Sequence, residues 1–166
     1  MGDSMIHQEC DVIPVCDIWI DKEGTWYFRG AEMFRREIVN LFYQNLVKDP
    51  FGRYMIVLED DQCFLEVEDV PFVVRSVHLD CDIPGDHAII LHLCDEKMEK
   101  LDLSTLRIRD GNVLYCAVRN RQFEARFSRA AYYQFTQHVE YDPISDEYYI
   151  ALNGHRHILI KGGPSC

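Results

Sequence analysis

Arginine side chains are concentrated in one stretch of the sequence. Four arginines fall within eleven residues, and Glu124 is the only acidic residue among them, so the local charge is +3. They are Arg119, Arg121, Arg126 and Arg129. A smaller group between residues 29 and 36 has a local charge of +2; its members are Arg29, Arg35 and Arg36, with Glu32. Guanidinium groups bind phosphate through paired hydrogen bonds, so both groups are candidates for binding an anion.

Both arginine groups lie at the start of a predicted helix. A helix start carries the positive end of the helix dipole, so each cation placed there costs about 0.3 to 1 kcal/mol. A negative group is therefore expected nearby. A bound phosphate would satisfy the arginines and also the free N–H groups of the first helical turn. The site hypothesis places an anionic small molecule against four of these arginines: Arg35, Arg119, Arg126 and Arg129.

The alternative to a bound anion is internal ion pairing. Six acidic residues lie between residues 59 and 69 without a basic residue among them. They are Glu59, Asp60, Asp61, Glu66, Glu68 and Asp69. Arginines that become buried are usually paired with carboxylates of the same protein. The sequence alone leaves both interpretations open, and it makes Glu68, Asp69 and Glu124 the acidic residues of the candidate site.

Other residue clusters have weaker chemical interpretations. His155 and His157 lie on one face of a predicted strand and could hold a metal ion, but no third ligand is visible nearby. His92 and Cys94 share the same spacing. Three aromatic residues of the second predicted helix could stack on a nucleobase, although their helical spacing is also that of core residues. They are Tyr132, Tyr133 and Phe135.

Signatures of common enzyme classes are absent from the sequence. It contains no phosphate-binding G-x-x-x-x-G-K-[ST] or G-x-G-x-x-G loop, no G-x-S-x-G nucleophile motif and no H-E-x-x-H zinc motif. These absences favour a binding or regulatory module over an enzyme, with no catalytic residue, metal or cofactor assigned. An unrecognised hydrolase is the least favoured of the hypotheses.

The first half of the chain predicts two hairpins around a helix. Runs at 16–20 and 26–28 flank a Gly24 turn, and runs at 54–58 and 63–67 flank an acidic turn. Between them, five apolar residues at helical spacing predict an amphipathic helix that ends at Asp49-Pro50-Phe51-Gly52. They are Phe34, Ile38, Leu41, Phe42 and Leu46.

The second half predicts further strands, one helix and a closing hairpin. Strands are expected at 72–79, 88–93, 100–103 and 113–118. The helix begins at Ser128, a good N-cap, and ends near Val139. Its apolar stripe consists of Ala131, Tyr132, Phe135 and Val139. Asn153-Gly154 is typical of a type I′ turn between strands at 148–152 and 157–160.

The two halves align with each other. At an offset of 93 residues, Arg36 matches Arg129 and Asp49-Pro50 matches Asp142-Pro143; at an offset of 94, Tyr54 matches Tyr148. The matches predict an internal duplication in an α+β fold, with an antiparallel sheet and one helix in each half. We expect a lead-in at 1–15, a first subdomain at 16–80 and a second at 81–166, with a ligand cleft between the subdomains.

Composition limits the kinds of partner. The net charge of −11 argues against nucleic-acid binding, because phosphate contacts need a basic face. No apolar run approaches the roughly 20 residues of a membrane-spanning helix, and the first ten residues do not resemble a signal peptide. Seven cysteines without C-x-x-C spacing favour free thiols in a reducing compartment. The expected location is the cytoplasm.

Several of these segments resemble a bacterial family known as domain of unknown function 1285. The resemblance is carried by 26–30, Arg35 with 38–42, Val67-Glu68-Asp69-Val70-Pro71-Phe72, and the later pattern of Arg119, 124–126, Arg129 and 132–133. It implies a duplicated α+β core whose C-terminal half is like a pleckstrin-homology fold. It also implies a nucleotide-like ligand at the interface between the halves and a part in signalling. A protein-interaction adaptor with structural arginines is the alternative.

Overall fold

The structure, a computed structural model, describes residues 12–161 as a mixed α+β fold. The described residues form two α-helices, fifteen strands and two short 3₁₀ turns, Leu103–Thr105 and Asp110–Asn112. Neither α-helix has the length and apolar composition needed to span a membrane. The predicted fold class, a mixture of helices and antiparallel hairpins, is confirmed at this level.

The first sheet has six strands and one helix inserted between the third and fourth of them. The strands are β1 (Val15–Ile20), β2 (Trp26–Phe28), β3 (Ala31–Glu32), β4 (Leu46–Lys48), β5 (Tyr54–Leu58) and β6 (Asp61–Val67), and the helix is α1 (Arg36–Gln44). Their order in the sheet is β3-β2-β1-β6-β5-β4. All pairs are antiparallel except the central pair of β1 and β6, which is parallel.

The second sheet also has six strands. They are β7 (Phe72–Asp80), β8 (Ala88–Leu93), β9 (Met98–Lys100), β10 (Arg107–Arg109), β11 (Val113–Val118) and β12 (Phe123–Phe127), in the order β10-β11-β12-β7-β8-β9. Here the parallel pair is β12 and β7. The second helix, α2 (Arg129–Thr136), follows β12 directly and packs against β7.

A third sheet of three strands completes the described chain. Its strands are β13 (Glu140–Asp142), β14 (Glu147–Leu152) and β15 (His155–Lys161), all antiparallel. The predicted hairpin between β14 and β15 is confirmed: Leu152 pairs with His155 across Asn153-Gly154. Both turn residues have positive φ, 52° and 76°, as a type I′ turn requires.

The first helix is shorter than the sequence pattern predicts. It ends at Gln44, and Leu46 lies in β4, where it pairs with Ile56 of β5. Asn45 caps the end, because its side-chain amide donates to the carbonyl oxygen of Leu41 at 2.8 Å. The helix therefore ends before Asp49-Pro50, because the backbone of 46–48 pairs with β5 instead of continuing the helix.

The buried face of α1 also differs from the predicted one. Three of the five predicted core residues are exposed: Phe34, Ile38 and Leu41. Tyr43 is buried instead, and Val39 and Phe42 pack against the core. Two apolar sets at helical spacing overlap on this short helix, so spacing alone does not decide which set faces inward. The exposed set forms an apolar stripe on the solvent side.

One continuous core joins the first and second sheets. It is built around a chain of aromatic rings that runs from β2 through α1 and β7 to β12. Ring centroids lie 4.9 Å apart between Trp26 and Tyr43, 4.9 Å between Tyr43 and Phe72, and 5.4 Å between Phe72 and Phe123. Each buried aromatic contributes a large apolar area, so these contacts hold the two sheets together.

A buried hydrogen-bond network reinforces this junction. The Tyr43 hydroxyl donates to the carbonyl oxygen of Pro71 at 3.0 Å and accepts from the Cys94 thiol at 3.1 Å. The Cys94 sulfur in turn accepts from the N–H of Val73 at 3.3 Å. Burial raises the pKa of Tyr43 well above its usual value, so the hydroxyl stays protonated and able to donate.

We expect Tyr43→Phe to lower the free energy of unfolding by about 1 to 2 kcal/mol, because the buried Pro71 carbonyl loses its donor. Urea denaturation followed by far-UV circular dichroism measures this. Tyr133→Phe on α2 is the matched control, since that ring is exposed and its loss of a hydroxyl should leave the midpoint unchanged. Equal midpoints for parent and Tyr43→Phe would show that the network contributes nothing.

The order of elements recurs along the chain, but the strand pairing does not. Three antiparallel strands, a helix and three antiparallel strands occur once as β1 to β6 around α1 and again as β10 to β15 around α2. In the first set β1 pairs with β6; in the second, β12 pairs with β7 and the last three strands form their own sheet. Internal duplication and a pleckstrin-like half stay predictions, as does the subdomain boundary after residue 80.

The cysteine prediction is wrong for one pair. Cys16 on β1 and Cys63 on β6 form a disulfide, with Cα atoms 5.3 Å apart, although the sequence contains no C-x-x-C spacing. Their separation of 47 residues hides the pairing, which appears only when β1 and β6 become neighbours. Cys81, Cys94 and Cys116 are free thiols, as predicted. Cys10 and Cys166 lie outside the described residues.

Candidate functional site

Most arginines of the cluster are paired with carboxylates of the same chain. Arg119 bonds to Asp95, Arg121 to Asp102, and Arg126 to Asp69. Of the six acidic residues that the sequence offered as partners, only Asp69 contacts one of the clustered arginines. The other partners come from 95–102, so the internal-pairing alternative holds for these three arginines, mostly with different acids.

Arg119 is held in the most enclosed of these pairs. It bonds to the carboxylate of Asp95, whose exposed fraction is only 3%. Its guanidinium lies 5.3 Å from the centre of the Phe72 ring, and the backbone N–H of Arg119 donates to the Glu99 carboxylate at 3.0 Å. Burial lowers the pKa of Arg119 and raises that of Glu99. Arg119 and Asp95 therefore form a structural ion pair. The Nε of Arg119 is buried without a hydrogen-bond partner among the described residues, and Arg119 also lines a space of about 640 Å³ together with Arg121.

Glu124 also forms ion pairs with arginines. Its carboxylate accepts two hydrogen bonds from Arg109, at 2.7 and 2.8 Å, and lies 3.5 Å from Arg107. The hydrogen bond from Arg109 raises the pKa of that arginine. Both partners lie on β10, the edge strand of the second sheet. Glu124 therefore ties β12 to β10 across β11.

Asp69 and Glu68 are neighbours in sequence but have different partners. Asp69 lies 3.2 Å from Arg126 and accepts a hydrogen bond from the Tyr115 hydroxyl at 2.5 Å. Burial, together with this hydrogen bond, raises the pKa of Tyr115. Glu68 is exposed and accepts from the N–H of Lys22 at 2.8 Å. Of these two acidic residues, only Asp69 therefore contacts the arginine cluster.

Two arginines at helix starts remain outside these pairs. Arg35 precedes α1 and Arg129 is the first residue of α2; both are exposed, and neither forms an ion pair within residues 12–161. At the start of α1, the neighbouring Arg36 does have a partner, because it bonds to Glu96 at 2.6 Å. The start of α2 has no acidic residue in its first turn. Arg129 is therefore the arginine best placed to receive an external anion.

Arg129 borders a hollow at the start of α2. The hollow has a volume of about 340 Å³ and its lining includes Gly111, Asn112, Arg126, Ser128, Arg129 and Tyr132. We call it the α2 hollow. The predicted N-cap is confirmed, because the Ser128 hydroxyl accepts from the N–H of Ala131 at 3.2 Å. The N–H groups of the two preceding helical residues have no intrahelical acceptor, which is the general property of a helix start.

A larger cavity adjoins the α2 hollow. It has a volume of about 800 Å³ and lies between β10, α2 and the third sheet. Its lining is mainly aliphatic and aromatic and includes Ile108, Phe135, Val139, Tyr148 and Leu159. Asn112, Leu114 and Tyr132 line both spaces. We call this space the apolar cavity.

The structure brings together only part of the predicted site. Arg126, Arg129 and Tyr132 share the α2 hollow, and Asp69 contacts Arg126. Arg35, Glu68, Arg119 and Glu124 do not line it. Nothing in the sequence marked Gly111 and Asn112 as site residues, since Asp110-Gly111-Asn112 has the composition of an ordinary turn.

The predicted location between the two halves is not where these residues lie. Every residue that lines the α2 hollow falls between 111 and 133, within the second predicted subdomain. A separate cleft of about 590 Å³ does separate residues 24–40 from residues 75–96. None of the eight predicted site residues lines that cleft, and in it Asn40 and Arg36 both bond to Glu96.

The histidine pairs and the aromatic residues of α2 were the weaker candidates for a site. His155 and His157 lie on β15, and His92 contacts His78 at 2.8 Å between ring nitrogens. No group of three metal-ligating side chains occurs within the part of the chain that the structure describes. Of the aromatic residues on α2, Phe135 belongs to the core, as the alternative interpretation predicted, whereas Tyr132 is half-buried and borders the α2 hollow.

The chain is similar to a known protein family and to solved structures of that family. Residues 8–70 match the family model for the N-terminal domain of the domain of unknown function DUF1285. The resemblance to DUF1285 is confirmed. A search of curated proteins finds no match.

Two solved DUF1285 structures have the same fold. The crystal structure of a DUF1285 family protein from Silicibacter pomeroyi DSS-3 superposes with a TM-score of 0.72 at 19% identity, over 89% of this chain and 81% of that one. A second, from Shewanella baltica OS155, has a TM-score of 0.61 at 18% identity, over 74% of this chain and 92% of that one. At this identity the likeness concerns the fold alone, and the DUF1285 description carries no activity.

Proposed function

We propose that this DUF1285-like protein is a binding module that takes up an anionic small molecule in the α2 hollow and acts in regulation or signalling. The observation that carries the proposal is the position of Arg129. Arg129 lines the hollow at the start of α2, and its guanidinium forms no ion pair within residues 12–161. The other arginines of the cluster are neutralised by Asp69, Asp95 and Asp102.

An anion would correct a local electrostatic imbalance. Arg129 lies where the helix dipole is positive, so its charge is unfavourable there until a negative group approaches. Arg126 adjoins the same space, although Asp69 compensates its charge in part. A phosphate or carboxylate in the hollow would accept from Arg129 and from the free N–H groups of the first turn.

The nucleotide-like ligand that the family resemblance implies is one member of this class. Its phosphate would lie against Arg129, and its base would stack on the half-buried ring of Tyr132. Asp69 then positions Arg126 rather than touching the ligand. Arg35, Arg119, Glu68 and Glu124 are left out of this site, because none of them lines the α2 hollow.

We expect inorganic phosphate, pyrophosphate and ATP to bind to the parent protein and to bind about 10- to 100-fold more weakly to Arg129→Ala. The size of the effect follows from the loss of a hydrogen bond to a charged group, worth about 1.5 to 3 kcal/mol. Isothermal titration calorimetry at low ionic strength measures the affinities. Low salt is needed because exposed charges are screened.

Arg35→Ala is the matched control for this experiment. Arg35 is also an exposed arginine at a helix start, so the two variants lose the same charge, but Arg35 does not border the α2 hollow. Its affinity for the three anions should equal that of the parent. Equal weakening by both variants, or no binding to the parent, would refute the proposal.

The apolar stripe of α1 supports a second candidate function, a protein-interaction adaptor. Phe34, which precedes α1, has an exposed fraction of 80%, and Ile38 and Leu41 of α1 are also exposed. Contiguous exposed apolar side chains are typical of surfaces that bind another protein. Recovery of one stoichiometric partner in a pull-down, lost on Leu41→Asp and without any response to anions, would favour this function over ligand binding.

A further inference from the structure

The apolar cavity indicates what the rest of the ligand is. Leu114 and Tyr132 line both the cavity and the α2 hollow, so the two spaces meet at these side chains. We infer, on the basis of the proposed function, that the ligand is a single-chain amphiphile: an alkyl or acyl chain that ends in a phosphate or carboxylate. The anionic end occupies the α2 hollow and the chain occupies the apolar cavity.

The size and lining of the cavity fit a hydrocarbon chain. A volume of about 800 Å³ lies within the range of roughly 300 to 1,000 Å³ that is usual for small-molecule sites. Aliphatic side chains come from three different parts of the fold: Ile108 from β10, Val139 from the turn between α2 and β13, and Leu159 from β15. Burial of each methylene against such walls is favourable without any hydrogen bond.

Three of the six polar side chains in the cavity wall already have partners within the described residues. The Thr136 hydroxyl donates to the carbonyl oxygen of Tyr133 at 3.0 Å, and the Tyr141 hydroxyl donates to Asp146 at 2.8 Å. Arg107 lies 3.5 Å from Glu124. A nucleobase would bring several donors and acceptors into this mainly apolar space, where each group left without a partner costs free energy. An alkyl chain needs no such partners.

The strand pairing explains why this space is open. In the first sheet, β1 pairs with β6. β1 is the first of the three strands before α1, and β6 is the last of the three strands after it. The corresponding strands around α2 are β10 and β15. Among the described residues, β10 pairs only with β11 and β15 only with β14. Ile108 and Leu159 of these two unpaired edges both line the cavity. The ligand would fill the gap that strand pairing closes in the first sheet.

A series of alkyl phosphates tests the inference. We expect the affinity of the parent protein to rise about fourfold per methylene from butyl through hexyl and octyl to decyl phosphate, since each buried methylene is favourable. Calorimetry below the micelle concentration of each compound gives the affinities. Decyl phosphate should bind more tightly than ATP, and Arg129→Ala should weaken every member of the series by a similar factor.

Two matched variants locate the chain. Ile108→Asp places a carboxylate in the cavity wall on the edge strand β10, and Val47→Asp makes the same change on the edge strand β4. Their side chains are equally exposed, at 44% and 42%, so both variants should fold. In Ile108→Asp, the affinity for alkyl phosphates should no longer rise with chain length. Its affinity for inorganic phosphate should stay within about threefold of the parent's. Val47→Asp should behave as the parent.

The outcomes separate this inference from the proposed function. Equal affinities along the series, or ATP tighter than decyl phosphate, with binding that still depends on Arg129, would overturn the inference and leave the proposed function standing. If affinity rises with chain length equally in the parent and in Ile108→Asp, the inference is also overturned, because the alkyl chain would then lie outside the apolar cavity. Failure of the parent to bind inorganic phosphate or any alkyl phosphate would overturn both.

Discussion

Arg119→Met is expected to lower the free energy of unfolding by about 3 to 5 kcal/mol, because removal of one partner leaves a buried charge without compensation. Arg119 bonds to Asp95, whose side chain is almost fully enclosed. Methionine retains much of the apolar length that lies beside the Phe72 ring, so the loss reports mainly on the charge. Urea denaturation followed by intrinsic fluorescence measures the change.

Arg121→Met is the matched control. Arg121 lies two residues away and bonds to Asp102 at 2.5 Å, but both side chains of this pair are substantially exposed. Exposed ion pairs contribute at most about 1 kcal/mol. Adding Asp95→Asn to Arg119→Met should recover most of the loss, since the buried carboxylate is then gone. A loss in Arg119→Met no larger than in Arg121→Met would mean that the enclosed pair is not important for stability.

Reduction of the Cys16–Cys63 disulfide is expected to lower the free energy of unfolding by about 4 kcal/mol, on the chain-entropy model for a loop of this length. The bond closes a loop across 47 residues and joins β1 to β6, the central pair of the first sheet. Without the bond the unfolded chain gains conformational freedom, and the two groups of strands on either side of this pair are joined only by hydrogen bonds and packing.

Urea denaturation with and without dithiothreitol measures the effect of the disulfide, and the Cys16→Ser, Cys63→Ser double variant should match the reduced parent. Cys81→Ser is the control, since Cys81 is an exposed free thiol and its replacement should change neither curve. A midpoint that dithiothreitol does not shift, in a protein shown by thiol titration to be oxidised at the start, would contradict the expectation.

The sequence predicted best those features that neighbouring residues determine. The Asn153-Gly154 turn, the Ser128 cap and most of the strands are present in the structure as expected. Each depends on a preference that acts over a few residues, such as tolerance of positive φ or a side chain that accepts from the first helical turn. The family resemblance, also carried by local segments, is confirmed.

Partner choice over long distances could not be predicted in the same way. The clustering of Arg119, Arg121 and Arg126 was visible, but their partners were not. Asp95 and Asp102 lie 24 and 19 residues from the arginines that they bind, outside the acidic block at 59–69. An ion pair depends on which strands become neighbours, and this is not encoded in the spacing of the charges.

The sequence by itself determined the mixed α+β class, the hairpins, the two helices and the surplus of positive charge at their starts, because each follows from residue type and local spacing. Only the tertiary structure decided which arginines at the helix starts form no ion pair within residues 12–161, which face of α1 is buried, and which cysteines are joined. Those outcomes depend on the order of strands in the sheets, which brings together residues that are far apart in the chain.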